Sequence, residues 1–141
     1  MSYSYKVVFL GESDVGKNDI ISLLTTGKFD PKTVTSFDAQ FIRKTIELPE
    51  GKSISFDIWD TAGQEKYRSL AKIFYKDAKV LSLVFDVTNH KSFDELKNYW
   101  YEQIKKICNK DAILAIVANK SELIEQRQVP NDVGIAFAKE I

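Results

Sequence analysis

The chain has 141 residues, with 20 Lys+Arg against 20 Asp+Glu and a formal charge of zero. At roughly 100–200 residues per domain this is one domain with no room for two, and nine Phe, six Tyr and two Trp supply too much core material for a disordered chain. The even charge excludes a nucleic-acid binder that neutralises many phosphates, no apolar run approaches the ~18 residues of a membrane span, and one cysteine, Cys108, makes no internal disulfide, which fits a soluble protein of a reducing compartment.

Short apolar runs alternate with amphipathic stretches. Val7-Val8-Phe9-Leu10 reads as a buried strand ending at Gly11. Residues 18–26 read as a helix with Ile20, Ile21, Leu23 and Leu24 on its inner face. Gln40 to Leu48 and Ile54 to Trp59 alternate on either side of Pro49-Glu50-Gly51-Lys52, so this pair is a predicted hairpin. Val80–Val87 and Ala112–Ala118 are continuous runs of the kind covered on both faces of a parallel sheet. Between them Ser92 and Glu95 have the spacing of a capping box for a long helix, whose stripe is Phe93, Leu96, Trp100, Ile104 and Ile107. Pro130 opens a last helix with Val133, Phe137 and Ile141 inward. Strands alternating with helices predict an α/β fold: a mostly parallel sheet with one antiparallel edge strand and helices on both faces. In such sheets ligands sit beyond the carboxyl ends of the strands.

The unusual residues fall at those ends. After the first strand comes Gly11-Glu12-Ser13-Asp14-Val15-Gly16-Lys17-Asn18. A Gly-x4-Gly-Lys turn between strand and helix presents successive backbone N–H groups to a phosphate, with Lys17 reaching the terminal phosphates. The alternative is an ordinary glycine turn. The pattern usually ends in Ser or Thr, which binds Mg²⁺ through its hydroxyl; Asn18 stands here and Asp19 follows. A carboxamide is one atom longer, and Mg²⁺ demands near-octahedral geometry, so metal binding is expected to weaken. After the hairpin comes Asp60-Thr61-Ala62-Gly63-Gln64-Glu65: an acid that can hold a metal through water, a glycine N–H for a γ-phosphate and a glutamine to orient water. After the last strand comes Asn119-Lys120-Ser121-Glu122, either a polar strand-end loop or a base-recognition loop.

With these three motifs in order, the chain resembles the Ras-like small GTPases, and their Rab branch most closely, over essentially its whole length. Ile58-Trp59-Asp60, Lys66 to Leu70, Phe74 to Ala78 and Leu83 to Thr88 are similar to Rab stretches. The resemblance implies a P-loop GTPase fold and a guanine-nucleotide switch that binds GTP and GDP with Mg²⁺ and slowly hydrolyses GTP in vesicle trafficking. It places Gly11, Ser13, Asp14, Val15, Gly16, Lys17, Asn18, Asp19, Phe29, Ser36, Gly63, Asn119, Lys120 and Glu122 on the nucleotide, Asn18, Ser36 and Asp60 on the metal, and Gln64 with Lys17 in catalysis. Phe29 packs against guanine; Ser36 replaces the first switch's Thr; Asp38 stands where Rabs commonly have Gly. Expected partners are an exchange factor, a GTPase-activating protein and effectors reading a surface of Phe41, Trp59 and Tyr75; the alternative for these aromatics is core packing, and for Trp59 the two readings stand level. Glu122 stands where the family has Asp, one methylene shorter, which is expected to cost guanine selectivity. The chain ends before the family's sixth strand, its Ser-Ala-Lys loop, its final helix and its prenylated tail. The expectation is therefore an incomplete domain, cytoplasmic and monomeric, with no membrane contact of its own; a tailed form would sit peripherally on endomembranes. A second implied reading is a degenerate Rab-like module, biased to the GDP-bound or empty state, that engages exchange factors without effective hydrolysis. His90 and Cys108 receive no chemical role.

Overall fold

The computed structural model describes residues 2–12, 15–26, 40–60, 77–107 and 110–141. Five strands form one sheet: β1 (Ser2–Leu10), β2 (Gln40–Glu47), β3 (Ser53–Asp60), β4 (Val80–Asp86) and β5 (Ile113–Asn119), in the order β2-β3-β1-β4-β5. Only β2 and β3 run antiparallel, with Phe41 opposite Trp59 and Arg43 opposite Asp57; the other pairs are parallel. The predicted hairpin and the mostly parallel sheet with one antiparallel edge strand are therefore present. From β1 the order runs outward in both directions, to β3 on one side and β4 on the other, so the carboxyl end of β1 is a topological switch point.

Alternation along the strands divides the apolar residues between two faces. On one, Val8, Leu10, Leu81, Leu83 and Phe85 pack with Phe93, Leu96, Trp100, Ile104 and Phe137. On the other, Val7, Phe9, Ile58 and Val84 pack with Val15 and Ile21 of the first loop and helix. Helix α1 (Lys17–Thr26) thus covers the second face. The first is covered by a continuous helix made of α2 (His90–Glu95), a π turn over Leu96–Trp100 and α3 (Tyr101–Ile107), together with α4 (Asn131–Glu140). No helix among the described residues is long and apolar enough to cross a membrane.

Four expectations about faces and ends are corrected. The long helix begins at His90 with Asn89 as its N-cap, and no side chain caps it. Ser92 lies inside the first turn, buried, where its Oγ donates to the Asn89 carbonyl (2.7 Å) and accepts the Asp86 N–H (3.0 Å), so it ties the helix to the end of β4 instead of closing a capping box. In α4 the inward stripe is Gly134, Phe137 and Ile141, not Val133: Gly134 faces the Phe85 ring closely enough that a Cβ would sit 3.5 Å from it. That seating rotates Val133 outward to 37% exposure. In α1 only Ile21 is fully buried, while Leu23 and Leu24 are about half exposed. The β5 run is covered less completely than its apolarity implies, because β5 closes one side of the described sheet; Ile113 is 58% exposed, whereas β4 is buried along nearly its whole length.

Candidate functional site

The loop after β1 is shaped by two glycines. Gly11 has φ +151 and Gly16 φ +96, values L side chains rarely adopt. A Cβ on Gly11 would collide with the Val84 carbonyl oxygen of β4, and one on Gly16 with the Asn119 side-chain amide. The loop therefore lies directly on β4 and on the loop after β5. Lys17, the first residue of α1, is 3% exposed, and its Nζ donates to the carbonyls of Gly11 and Glu12, each at 2.8 Å. These carbonyls fix the ammonium at the helix N-terminus, where the helix dipole also favours an anion.

The loop after β5 meets it from the side. Asn119 donates its Nδ2–H to the Val15 carbonyl at 2.8 Å across 104 residues of sequence. Lys120 follows with φ +63, in the left-handed region that costs a non-glycine residue of order 1–3 kcal/mol. Its Nζ pairs with Asp86 Oδ2 at 2.8 Å, while Asp86 Oδ1 accepts the Thr88 N–H (2.8 Å) and Thr88 Oγ1–H (2.6 Å). Burial pushes the Asp86 carboxyl up, but the hydrogen bonds from Lys120 and Thr88 outweigh it and hold it below the ordinary carboxylate range. Asp86 is paired with Asn119 in the β4–β5 register, so the last residue of one strand fixes the lysine that follows the other. The Val87 N–H to Asn119 O bond (3.1 Å) closes this corner.

Beside the corner opens a cavity of about 470 Å³, lined by Asp19, Ile20 and Leu23 of α1 and by Asn119, Lys120, Glu122 and Leu123. The exposure of Leu23 has its reason here: it forms an apolar wall of the cavity opposite Leu123. Two carboxylates, Asp19 and Glu122, and one ammonium share the rim. Asp19 Oδ1 is buried and is the one such side-chain atom among the described residues without a hydrogen-bond partner. The arrangement can hold an anion at the loop and, next to it, a flat group presenting hydrogen-bond donors to Glu122.

Of the predicted site residues, Gly11, Val15, Gly16, Lys17, Asp19, Asn119, Lys120 and Glu122 come together at the carboxyl ends of β1 and β5. Asn18 and Asp60 have described backbones but not side chains; Asn18 lies in the first turn of α1 and Asp60 ends β3 beside Phe9 of β1. Ser13, Asp14, Phe29, Ser36, Asp38, Gly63, Gln64, Tyr75 and Cys108 lie outside the described residues, as does the side chain of Phe41. Trp59 is partly buried against the larger core, with the Lys6 Nζ 5.7 Å from its ring centroid. Sequence reasoning missed Asp86, although a buried strand ending in an acid two residues before Thr88 marks a local carboxylate turn. It also missed a contact between Glu12 and Trp100, 88 positions apart, for which the sequence carries no signal.

Residues 6–141 match the family model described as the Ras family. The chain is 37% identical over 140 residues to Ras-related protein Rab-21 of Mus musculus, covering 99% of this chain and 62% of that protein. It is 39% identical over 141 residues to Ras-related protein RabJ of Dictyostelium discoideum (100% and 54%), and 37% over 138 residues to Ras-related protein RGP2 of Oryza sativa subsp. japonica (98% and 63%). The chain thus spans less than two thirds of the length of these curated relatives.

Proposed function

The chain belongs to the Ras family, in its Rab branch, and from that premise we propose that it is a guanine-nucleotide switch that binds GTP and GDP and slowly hydrolyses GTP in vesicle trafficking. The observation that carries this reading is the Asn119–Val15 bond, which joins a phosphate-type loop to a base-type loop at one cavity. In this role the loop N–H groups and Lys17 bind the phosphates, Asn119 holds the loop closed, the Lys120 stem lies along the base, and Glu122 accepts from the guanine N1 and N2 hydrogens. Gln64 orients the attacking water. Positioning and fixed charge carry most of such a reaction.

Asn18, Ser36 and Asp60 offer oxygen donors, the type a hard divalent cation takes; Asn18 lies in the first turn of α1 and Asp60 ends β3 beside Phe9 of β1. These donors would hold Mg²⁺, with Asn18 a weaker ligand than the usual hydroxyl, and the ion would offset the charge of the β- and γ-phosphates. No arginine of this chain is assigned to the γ-phosphate, so rapid turnover draws one from a GTPase-activating protein. An exchange factor and effectors reading Phe41, Trp59 and Tyr75 are the further proposed partners.

A second reading, a module biased to the GDP-bound or empty state, is favoured by Asp19. Its carboxylate lines the cavity with one oxygen unpartnered, and an anionic ligand placed there adds repulsion. Single-turnover hydrolysis of GTP separates the two. The switch hydrolyses GTP slowly, and Gln64→Leu slows it further; a module shows no turnover above the no-protein rate, and Gln64→Leu changes nothing.

A further inference from the structure

An acidic side chain is an awkward occupant of a loop that receives an anion. Glu12 follows Gly11 directly, and an unrestrained carboxylate there would compete with a phosphate for Lys17. Its Oε1 instead accepts the indole Nε1–H of Trp100 at 3.0 Å. Trp100 is fully buried, packed edge-on against Tyr99 with ring centroids 5.1 Å apart. It is the last residue of the π turn, in which the Tyr101 N–H bonds the Leu96 carbonyl five residues back. Such wide turns recur at functional positions because they re-aim a side chain without ending the helix; backbone angles at both junctions remain helical (Leu96 φ −59, ψ −46; Tyr101 φ −63, ψ −40). The backbone carbonyl of the same Glu12 accepts from Lys17. Helix, indole, carboxylate, loop carbonyl and ammonium therefore form one chain of contacts.

We propose that Trp100 is a positioning residue of the phosphate loop: its indole N–H holds the Glu12 carboxylate on the helix side, which fixes the loop carbonyls that seat Lys17. The consequence for ligands rests on the reading of this loop as a phosphate site; the anchoring itself is a property of the chain alone. Trp100→Phe keeps one aromatic ring, loses the N–H, and also vacates part of the buried indole's space in the core. Glu12→Ala loses the acceptor without touching the core, and Glu12→Gln retains an acceptor oxygen.

Amide hydrogen exchange of the segment 9–17, measured with and without GDP and Mg²⁺, tests it. Trp100→Phe and Glu12→Ala are each expected to speed exchange of this segment by about tenfold, the scale set by one hydrogen bond to a charged group. In Glu12→Ala the β4 segment 80–86 stays unchanged, whereas Trp100→Phe, which also thins the core packed on Leu81, Leu83 and Phe85, speeds both. Glu12→Gln behaves as wild type, and adding Glu12→Ala to Trp100→Phe does not speed segment 9–17 further. GDP release from the two breaking variants quickens by the same factor. Unchanged exchange in segment 9–17 of Glu12→Ala, or faster exchange in Glu12→Ala spread equally over segment 80–86, would overturn the proposal. Should Trp100→Phe not fold, Glu12→Ala against Glu12→Gln decides the matter. A wild-type chain that takes no nucleotide would remove the phosphate-site reading, while the exchange comparison would still decide whether Trp100 anchors the loop.

Discussion

Asn119 and Val15 are 104 positions apart in sequence, yet the side-chain amide of one donates to the backbone carbonyl of the other at 2.8 Å. That bond joins the loop after β1 to the last residue of β5, and Gly16 lies so close to the same amide that no Cβ fits between them. Removing the amide in Asn119→Ala therefore loosens two walls of the site at once. Affinity for GDP is expected to fall by about tenfold or more, read by calorimetric titration, with little change in the thermal midpoint, since Asn119 is not part of either core cluster.

Gly11→Ala is expected to act on folding as well as on the site. The new methyl would meet the Val84 carbonyl, which belongs to the central sheet and cannot move aside, and the φ of +151 is itself unfavourable. A loss of about 1–3 kcal/mol follows from such strain. Gly51→Ala is the control: its φ is +72 but nothing lies within 4 Å of the added Cβ, so only the backbone cost of about 1 kcal/mol remains. Urea midpoints of the two variants measure the difference.

The Asp86 carboxylate makes stability depend on acid. Its folded-state pKa lies below the ordinary value, because hydrogen bonds from Lys120 and Thr88 outweigh the opposing effect of burial. The stabilisation is thus fully present above the unfolded carboxyl's pKa of about 3.9 and is lost as pH falls through the lower folded value. Asp86→Asn is expected to lower the urea midpoint at pH 7, and the gap to wild type should narrow as pH drops below about 4. A gap that stays constant down to pH 3 would separate Asp86 from this effect.

Glu122→Asp shortens the carboxylate by one methylene at the rim of the cavity. Misplacement of a recognising group by about 1 Å can cost on the order of 10²-fold, so the shorter acid is expected to bind GDP more tightly and to discriminate it better from inosine diphosphate, which lacks the 2-amino donor. Competition binding of the two nucleotides by wild type and Glu122→Asp gives both ratios.

Much of this architecture was legible because burial on both faces leaves a continuous apolar run, as in β4, and burial on one leaves alternation, as in β2 and β3. The three loops were legible because glycine, lysine and asparagine at strand ends have few structural reasons to recur there. Apolarity alone, however, does not say which surface a residue meets. Leu23 looked like core and lines the cavity; Val133 looked like core and is turned out by the seating of Gly134 on Phe85. Ser92 has capping-box spacing, yet the helix starts two residues earlier and its hydroxyl serves β4. The π turn at Leu96–Trp100 and the reach of Trp100 to Glu12 depend on packing between segments far apart in the chain, which local pattern does not encode.

The most direct measurement of the central claim is titration of the purified chain with GDP, GTP and ADP at millimolar Mg²⁺, repeated with chelator. Binding of both guanine nucleotides at comparable affinity, weakened by chelator and absent for ADP, is the result the switch predicts. Binding of no nucleotide, or of ADP as well as GDP, would contradict it.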